Sequence, residues 1–455
     1  MVARAAAAID RGRLAAALAR EVERFRAEHP RSLALHQRSQ SSLLFGVPMS
    51  WMARWAGGFP VFLSEAQGAR VVDVDGKTYV DFCLGDTGAM AGHAPEPVVR
   101  AIAARAAAGS TAMLPTEDSA WVGEELSRRF GLPLWQFALT ATDANRFALR
   151  LAREVTGRPK VLVFDWCYHG SVDEALATAD GAAVRARDGN VGPPLDPALT
   201  TRVVQFNDLD ALERALAPGD VACVLAEPAL TNIGIVLPEN GFHDGLRELT
   251  RATGTLLAID ETHTLSAGPG GGTRAWDLEP DIVTVGKAIG GGMPAAAYGV
   301  SAELAERIAA RSQADYEDVG GIGGTLAGNA LSLAAVRATL EHVLTDDAYE
   351  RMISLTERFA TDVDETIEGA GMPWHVTRLG ARAEYRFQAE PPRTGAEAAA
   401  AIDPELERYM HLFVLNRGVL ITPFHNMALM SPATTIADVG THRESFREAV
   451  DELLG

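Results

Sequence analysis

Short apolar runs alternate with helical patterns through the middle of the chain. Four of these runs are "KVLVFD" (160–165), "ACVLAEP" (222–228), "TLLAID" (255–260) and "DIVTVG" (281–286). Continuous apolar runs between helical segments are typical of strands in a parallel sheet that is covered by helices on both faces. The pattern therefore predicts a large α/β domain with a mainly parallel sheet, which we place at residues 91–344.

The two ends of the chain predict a smaller α+β domain. The alanine-rich start has the pattern of an amphipathic helix that ends before Pro30, and two β-rich runs flank Asp75-Gly76, a dipeptide that favours a tight hairpin turn. Residues 349–371 have a helical pattern, and "GVLIT" (418–422) has the pattern of a strand. We expect residues 1–90 to join residues 345–455 in this second domain.

Composition and charge exclude several classes of partner. The 455 residues are 47% hydrophobic and 22% charged, as in globular proteins, and the net charge of -19 at pH 7 argues against a nucleic-acid partner. No run approaches the ~18 apolar residues of a membrane span, and the start lacks the apolar core of a signal peptide. Cys83, Cys167 and Cys223 have no C-x-x-C spacing, which favours a reducing compartment and indicates no metal site. We expect a cytoplasmic protein that binds small molecules.

Lysine is rare in this chain. Among 41 basic residues the only lysines are Lys77, Lys160 and Lys287, and Lys287 lies in "DIVTVGKAIGGGMPAAAYGV", which is otherwise mostly apolar or glycine. Burying an unpaired ammonium is costly, and a chain that uses arginine elsewhere would use it here if only charge were needed. A desolvated lysine can lose its proton and attack a carbonyl, which a guanidinium cannot do. Lys287 is therefore predicted to act as a nucleophilic amine.

Three polar residues follow the ends of neighbouring predicted strands. Glu227, Asp260 and Lys287 come at or just after these ends, and the carboxyl ends of parallel strands form the ligand-binding edge of a sheet. Lysine and aspartate are the two groups that pyridoxal 5'-phosphate (PLP) needs, an amine for its aldehyde and a carboxylate for its ring nitrogen. A structural Asp-Lys ion pair is the alternative. A P-loop is excluded because position 281 is not glycine and position 288 is neither serine nor threonine.

Several ordered motifs carry a resemblance to a known family. "IDETHTLSAGPGGGTRAWDLEPDIVTVGKAIGGGMPAAAYG", "ATDANRFALRLAREVTGRPKVLVFDWCYHG" and "GGTLAGNALSLAA" resemble blocks of the class III (subgroup II) PLP-dependent aminotransferases, nearest to the glutamate-1-semialdehyde aminomutase-like branch. The resemblance runs from about residue 68 to 431. It implies a PLP-transferase of fold type I, with PLP as cofactor.

The resemblance also implies roles for the residues that hold the cofactor. Lys287 would form the internal Schiff base and then move a proton, and Asp260 would pair with the ring nitrogen. Ala141 and Thr142, at the start of a helix, would bind the phosphate. Tyr168 would stack on the ring.

Further roles concern the loop beside the ring, the neighbouring subunit and the substrate. His169 would shape the cofactor loop, and Thr325 would reach the phosphate bound in the other subunit, which implies a homodimer with shared active sites. Arg54 aligns loosely with an arginine that binds the substrate carboxylate, although a solvated arginine is an equal alternative. Glu227 would orient the site.

Four positions depart from the family pattern. Ala141 and Asp143 replace the glycine and glutamate of its G-T-E-A block, and Thr262 replaces the valine that packs on the ring. His263 replaces glutamine or methionine. His263 is predicted either to bind the phenolic oxygen of the cofactor or to be a structural histidine.

The resemblance predicts an aminotransferase that moves an amino group from a donor such as glutamate to a carboxylated keto or aldehyde acceptor, with a role in secondary metabolism as one option. The alternatives are an intramolecular aminomutase of the glutamate-1-semialdehyde type and an amino acid racemase. A non-catalytic scaffold is the smallest alternative, since Lys287 and Asp260 are both present.

Overall fold

The structure is a computed structural model that describes residues 9–181, 183–311 and 321–455. Its strands are β1 Leu63–Gln67, β2 Arg70–Asp73, β3 Thr78–Asp81, β4 Leu134–Ala138, β5 Lys160–Phe164, β6 Ala177–Asp180, β7 Ala183–Ala186, β8 Thr201–Val204, β9 Val221–Ala226, β10 Leu256–Asp260, β11 Ile282–Val285, β12 Ala296–Val300, β13 His375–Leu379, β14 Arg382–Arg386, β15 Val419–Leu420 and β16 Met427–Leu429.

The α-helices of the described ranges are α1 Arg11–Glu28, α2 Pro30–Ser39, α3 Glu96–Ala108, α4 Glu117–Phe130, α5 Ala141–Thr156, α6 Pro197–Thr200, α7 Leu209–Leu216, α8 Phe242–Thr253, α9 Gly271–Ala275, α10 Ala302–Arg311, α11 Ala330–His342, α12 Asp346–Ala370, α13 Gly395–Ala400, α14 Pro404–Leu415 and α15 Ile436–Leu454. Short 3-10 helices occur at Leu44–Gly46, Ser50–Ala53, Asp173–Ala175, Thr264–Ala267 and Lys287–Gly290. Within these ranges, every helix is too short or too polar to span a bilayer.

The chain divides into two compact units. Unit 1 contains Met1–Pro95, Asp347–Pro391 and Ala401–Gly455, and unit 2 contains Glu96–Asp346 and Pro392–Ala400. The last of these segments lies within the range 345–455 that the sequence places in the smaller domain. It joins unit 2 because Arg393 forms an ion pair with Glu239 and its carbonyl accepts a hydrogen bond from Asn207.

Unit 2 is built on a seven-stranded sheet in the order β4-β12-β11-β10-β9-β5-β8. Strand β12 is antiparallel to both of its neighbours, and the other pairs are parallel. The four apolar runs coincide with β5, β9, β10 and β11, in which every residue except the first of β5 is buried. The predicted α/β class with a mainly parallel sheet is confirmed.

Unit 1 contains a four-stranded sheet, β1-β2-β3-β15, and a three-stranded sheet, β13-β14-β16. The predicted hairpin is confirmed, because β2 and β3 are antiparallel and Gly76 turns between them with a φ of 86°, which favours glycine. Strand β15 pairs with β3 in parallel, so the C-terminal segment completes a sheet that the N-terminal segment begins. The predicted helix at 349–371 corresponds to α12.

The core of unit 1 holds a histidine in an aromatic environment. His442, on α15, is buried, and its ring stacks on Phe446 at 5.6 Å and lies 4.3 Å from Phe359. Among the residues that the structure describes, none forms a hydrogen bond with its Nε2. Burial lowers the pKa of His442 to about 3, because an imidazolium would lose its hydration there. The neutral ring is therefore the form compatible with the folded chain.

We expect this histidine to make the protein less stable in acid. Below about pH 6.5 the unfolded chain binds a proton at His442, whereas the folded chain keeps the ring neutral. The free energy of unfolding therefore decreases as the pH falls, by about 2 kcal/mol at pH 5. His442→Phe should reduce that loss in urea denaturation measured at both pH values. His342→Gln is the matched control, because the side chain of His342 is 54% exposed. Equal acid sensitivity in wild type and His442→Phe would contradict the assignment.

Candidate active site

Five loops of unit 2 meet where parallel strands end, and we call this edge of the sheet the carboxyl edge. The loops follow β4, β5, β9, β10 and β11. These loops, together with the end of β10 and the start of α5, carry all but two of the site residues predicted from the sequence, namely Ala141, Thr142, Tyr168, His169, Glu227, Asp260, His263 and Lys287. Loops at this edge of a parallel sheet are the usual place for a ligand.

Asp260, the last residue of β10, lies at the centre of a buried network. Its Oδ2 accepts hydrogen bonds from Asn145 Nδ2 at 2.7 Å and from His169 Nδ1 at 2.9 Å, and its Oδ1 accepts one from the amide of Thr262 at 3.0 Å. Burial alone would raise the pKa of Asp260, but the His169 bond and charge, with the other two donors, hold it at about 2. The side chain is therefore a buried carboxylate anion.

His169 supplies the opposite charge. Burial lowers the pKa of this imidazole, but Cys167 and the Asp260 carboxylate outweigh burial and raise the pKa well above its usual value. Asn145 links the pair to the sheet, since its Nδ2 also donates to the His169 carbonyl at 3.2 Å and its Oδ1 accepts from Thr284 Oγ1 at 2.6 Å. The Asp260 carboxylate is thus held by residues from a helix and two loops, and Asn145 is itself bonded to the neighbouring strand β11.

Lys287 and His263 are in direct contact. Lys287 Nζ lies 2.8 Å from His263 Nε2, and both side chains are partly buried. Lys287 begins a 3-10 helix with a φ of 48°, in the left-handed region that side-chain-bearing residues rarely occupy. Such a conformation persists only where the surrounding structure imposes it, and functional sites are where it is usually found.

The first turn of α5 faces the loop that follows β5. Thr140 caps the helix by accepting a hydrogen bond from the amide of Asp143, and Thr142 Oγ1 accepts one from the amide of Ser171 at 3.1 Å. A Cβ at Gly170 would lie 2.1 Å from Thr142 Oγ1, so only glycine allows this approach. The amides that begin a helix have no partner within it and attract anions.

Glu227 braces the same loop. Its Oε1 accepts a hydrogen bond from the amide of Tyr168 at 3.1 Å, and its Oε2 accepts from the amide of Thr231 at 3.1 Å and from the Thr231 hydroxyl. Burial raises the pKa of Glu227, although the charge of His169 opposes this. Both carboxylate oxygens are used inside the protein, which suits the predicted orienting role better than contact with a substrate.

Two predicted residues lie elsewhere. Arg54 belongs to unit 1, where it ends the 3-10 helix Ser50–Ala53 and is exposed. Thr325 belongs to unit 2 and is also exposed, next to Gly324, whose φ is 147°.

The sequence alone did not identify Asn145, Thr284 or Thr231. Asn145 had a detectable signal, because α5 buries Ala144, Asn145 and Ala148 on its apolar face, and a buried amide needs hydrogen-bond partners. The sequence signal for Thr284 was weaker, namely a polar residue inside an otherwise apolar strand.

The donor set of the carboxyl edge fits PLP. A helix N-terminus with a threonine hydroxyl suits a phosphate, a buried anion suits a protonated ring nitrogen, and an amine suits an aldehyde. Each of these three groups is present among the described residues at this edge, in Thr142, Asp260 and Lys287.

Comparisons with known proteins agree with this chemistry. The sequence profile described as aminotransferase class-III matches residues 51–450. A glutamate-1-semialdehyde 2,1-aminomutase from Desulfitobacterium hafniense (strain DSM 10664 / DCB-2) is 36% identical over 405 residues, which cover 87% of this chain and 92% of that protein.

Solved structures are similar over nearly the whole chain. The crystal structure of a glutamate-1-semialdehyde aminomutase from Pseudomonas aeruginosa PAO1 has a TM-score of 0.95 and 53% identity, covering 98% of this chain and 100% of that one. A lysine-to-alanine variant of that protein, in complex with PMP, matches with the same values. An omega-transaminase from Sphaerobacter thermophilus has a TM-score of 0.85 and 28% identity, covering 93% of this chain and 98% of that one.

Proposed function

Because this chain belongs to the class III aminotransferase family, whose cofactor is PLP, we propose that it is an aminomutase of the glutamate-1-semialdehyde type. Such an enzyme moves an amino group between neighbouring carbons of a single carboxylated amino-aldehyde, so it needs no separate donor and acceptor. Its PLP would lie at the carboxyl edge of unit 2.

One observation carries the choice between aminomutase and aminotransferase. The protein of known structure that is 53% identical over 98% of this chain is an aminomutase, and the curated relative at 36% has the same activity in its name. The omega-transaminase is only 28% identical. These relatives support the alternative drawn from the sequence better than its main prediction, a transfer from glutamate to a keto or aldehyde acceptor.

The residues around Asp260 and Lys287 would perform the chemistry. When bound, PLP supplies an aldehyde that captures an amine and a ring that accepts electrons from a neighbouring carbon. The Asp260 anion would keep the ring nitrogen protonated, and His169 and Asn145 would hold that anion in place. Lys287 Nζ would bind the aldehyde and, once displaced by substrate, carry a proton between the substrate carbon and the aldehyde-derived carbon of the cofactor.

The remaining contacts would position the cofactor. Amides of Ala141 and Thr142 would bind the phosphate, and the Thr142 hydroxyl can donate to it because its oxygen already accepts from Ser171. Tyr168 would stack on the ring, on a loop that Glu227 braces.

Two roles extend beyond this edge. Thr325 is proposed to reach the phosphate of a second subunit, and a PLP-saturated protein that light scattering shows to be a monomer would exclude this. Arg54 is proposed to bind the substrate carboxylate, and an unchanged KM in Arg54→Leu would exclude it.

The proposal predicts isomerisation of one substrate without a second reactant. Purified enzyme given glutamate 1-semialdehyde alone should form the isomer with the amino group on carbon 1, detected by mass spectrometry and NMR. The enzyme should be active from the PLP form or the PMP form, since the substrate can either gain a second amino group from the PMP form, giving a diamine, or lose its amino group to the PLP form, giving a keto-aldehyde.

L-Glutamate alone provides the control. A transaminase would stop after one half-reaction, with loss of the yellow colour and one 2-oxoglutarate released per site. If neither cofactor form produced the isomer and glutamate bleached the enzyme, the protein would be a transaminase and not an aminomutase. A racemase would instead change only the optical rotation of its amino acid.

A further inference from the structure

His263 Nε2 lies 2.8 Å from the reactive amine of Lys287. At that distance one nitrogen donates a hydrogen bond and the other accepts it, because an imidazole nitrogen that carries a proton cannot accept. A lysine ammonium and an imidazolium facing each other would also repel strongly. The two facing nitrogens therefore share one proton between them rather than holding one each.

The turn that carries this imidazole is fixed from both sides. Asp260 Oδ1 accepts a hydrogen bond from the amide of Thr262 at 3.0 Å. The next carboxylate, Glu261, is fully buried and accepts from Thr264 Oγ1 at 2.5 Å and from the amide of Gly272 at 3.0 Å. The imidazole thus projects from a backbone that has little freedom to move.

The backbone that carries the amine is constrained as well. Lys287 has the left-handed φ of 48° and follows Gly286, where an added Cβ would lie 3.0 Å from the Cβ of Ala141. The contact between the two nitrogens therefore results from two constrained backbones. Groups held in this way need no reorganisation when a proton moves between them.

We propose that His263 is the base that takes the proton of the Lys287 ammonium. In this step an N–H bond of Nζ breaks and an N–H bond forms at Nε2, so the ammonium becomes an amine with a free electron pair and the imidazole becomes an imidazolium. The amine can then attack a carbonyl carbon. When the imidazolium returns the proton, Lys287 is again an ammonium that can transfer a proton to substrate. In this respect the inference rests on the proposed function.

The test follows the capture of PLP by apoenzyme in the absence of substrate. The growth of yellow absorbance gives the rate, and borohydride reduction with peptide mapping locates the linkage at Lys287. His263→Gln keeps a hydrogen-bond acceptor that cannot take a proton, and we expect it to slow capture about 100-fold, within the range of general base catalysis. His263→Ala should be equally slow, and free imidazole should accelerate it at least about tenfold.

Controls separate proton transfer from positioning. Imidazole should not accelerate wild type, in which the base is present. Wild-type rates in both His263 variants would overturn the proposal. The proposal would also be overturned if His263→Gln captured PLP as fast as wild type while His263→Ala was slow. The same holds if imidazole did not raise the rate of PLP capture by His263→Ala.

A second measurement needs no variant. Diethyl pyrocarbonate, mapped to His263 in wild-type apoenzyme, should slow PLP capture in proportion to the fraction modified, and an unchanged rate would contradict the proposal. Because no substrate is present, these outcomes do not depend on whether the enzyme proves to be an aminomutase or a transaminase.

Discussion

Lys287→Arg is expected to abolish covalent PLP capture and turnover while the fold survives. A guanidinium keeps the positive charge but does not lose its proton in proteins, so it can neither attack an aldehyde nor carry a proton between carbons. The purified wild type should be yellow and the variant should lack the reducible linkage. We expect activity to fall by at least about 10⁴-fold, since nucleophile and proton carrier are lost together.

The other two lysines provide internal controls for this experiment. Lys77 forms an ion pair with Glu28, and Lys160 Nζ lies 3.6 Å from Asp220, so each of these amines already has a carboxylate partner. Borohydride should label Lys287 in wild type and neither of these residues. Label on Lys77 or Lys160, or a variant that still forms the linkage, would show that Lys287 is not the nucleophile.

Strand-end residues could be predicted from the sequence because one geometric rule places them. Four apolar runs identify β5, β9, β10 and β11, and parallel strands present their carboxyl ends at a common edge. The rule predicts that Asp260 and Lys287 lie at this edge, and it needs no knowledge of side-chain contacts. The motifs around them then indicated the cofactor, which the family comparison supports.

Side-chain contacts across elements could not be predicted in the same way. Asn145 joins Asp260 to Thr284 across a helix and two strands, and no spacing in the sequence encodes that meeting. The approach of His263 to Lys287 depends on a left-handed backbone and on a turn fixed by hydrogen bonds, neither of which a pattern of residue types reveals. The sequence predicted that His263 binds the phenolic oxygen of the cofactor or is a structural histidine, and neither prediction included the contact with Lys287.

Asp260→Asn is expected to leave a folded protein that binds PLP but turns over at least about 100-fold more slowly, a loss of about 2.7 kcal/mol of transition-state stabilisation. The pKa of Asp260 is about 2, so the wild-type side chain is an anion at every pH of a normal assay. A neutral amide in its place cannot stabilise a protonated ring nitrogen. Asp260→Glu is the matched control, because it keeps the charge and changes only its position.

The same substitution also disturbs the network in a defined way. If the amide oxygen replaces Oδ2, it still accepts from Asn145 and His169, but the NH₂ group then faces the amide of Thr262, which is itself a donor. One unmade buried hydrogen bond costs about 1–3 kcal/mol, so the melting temperature should fall measurably. Measuring kcat together with PLP content separates the two effects, because weak binding lowers PLP content whereas loss of the anion lowers kcat in PLP-saturated enzyme. A kcat within about tenfold of wild type, or 1.4 kcal/mol, would mean that Asp260 only supports the structure.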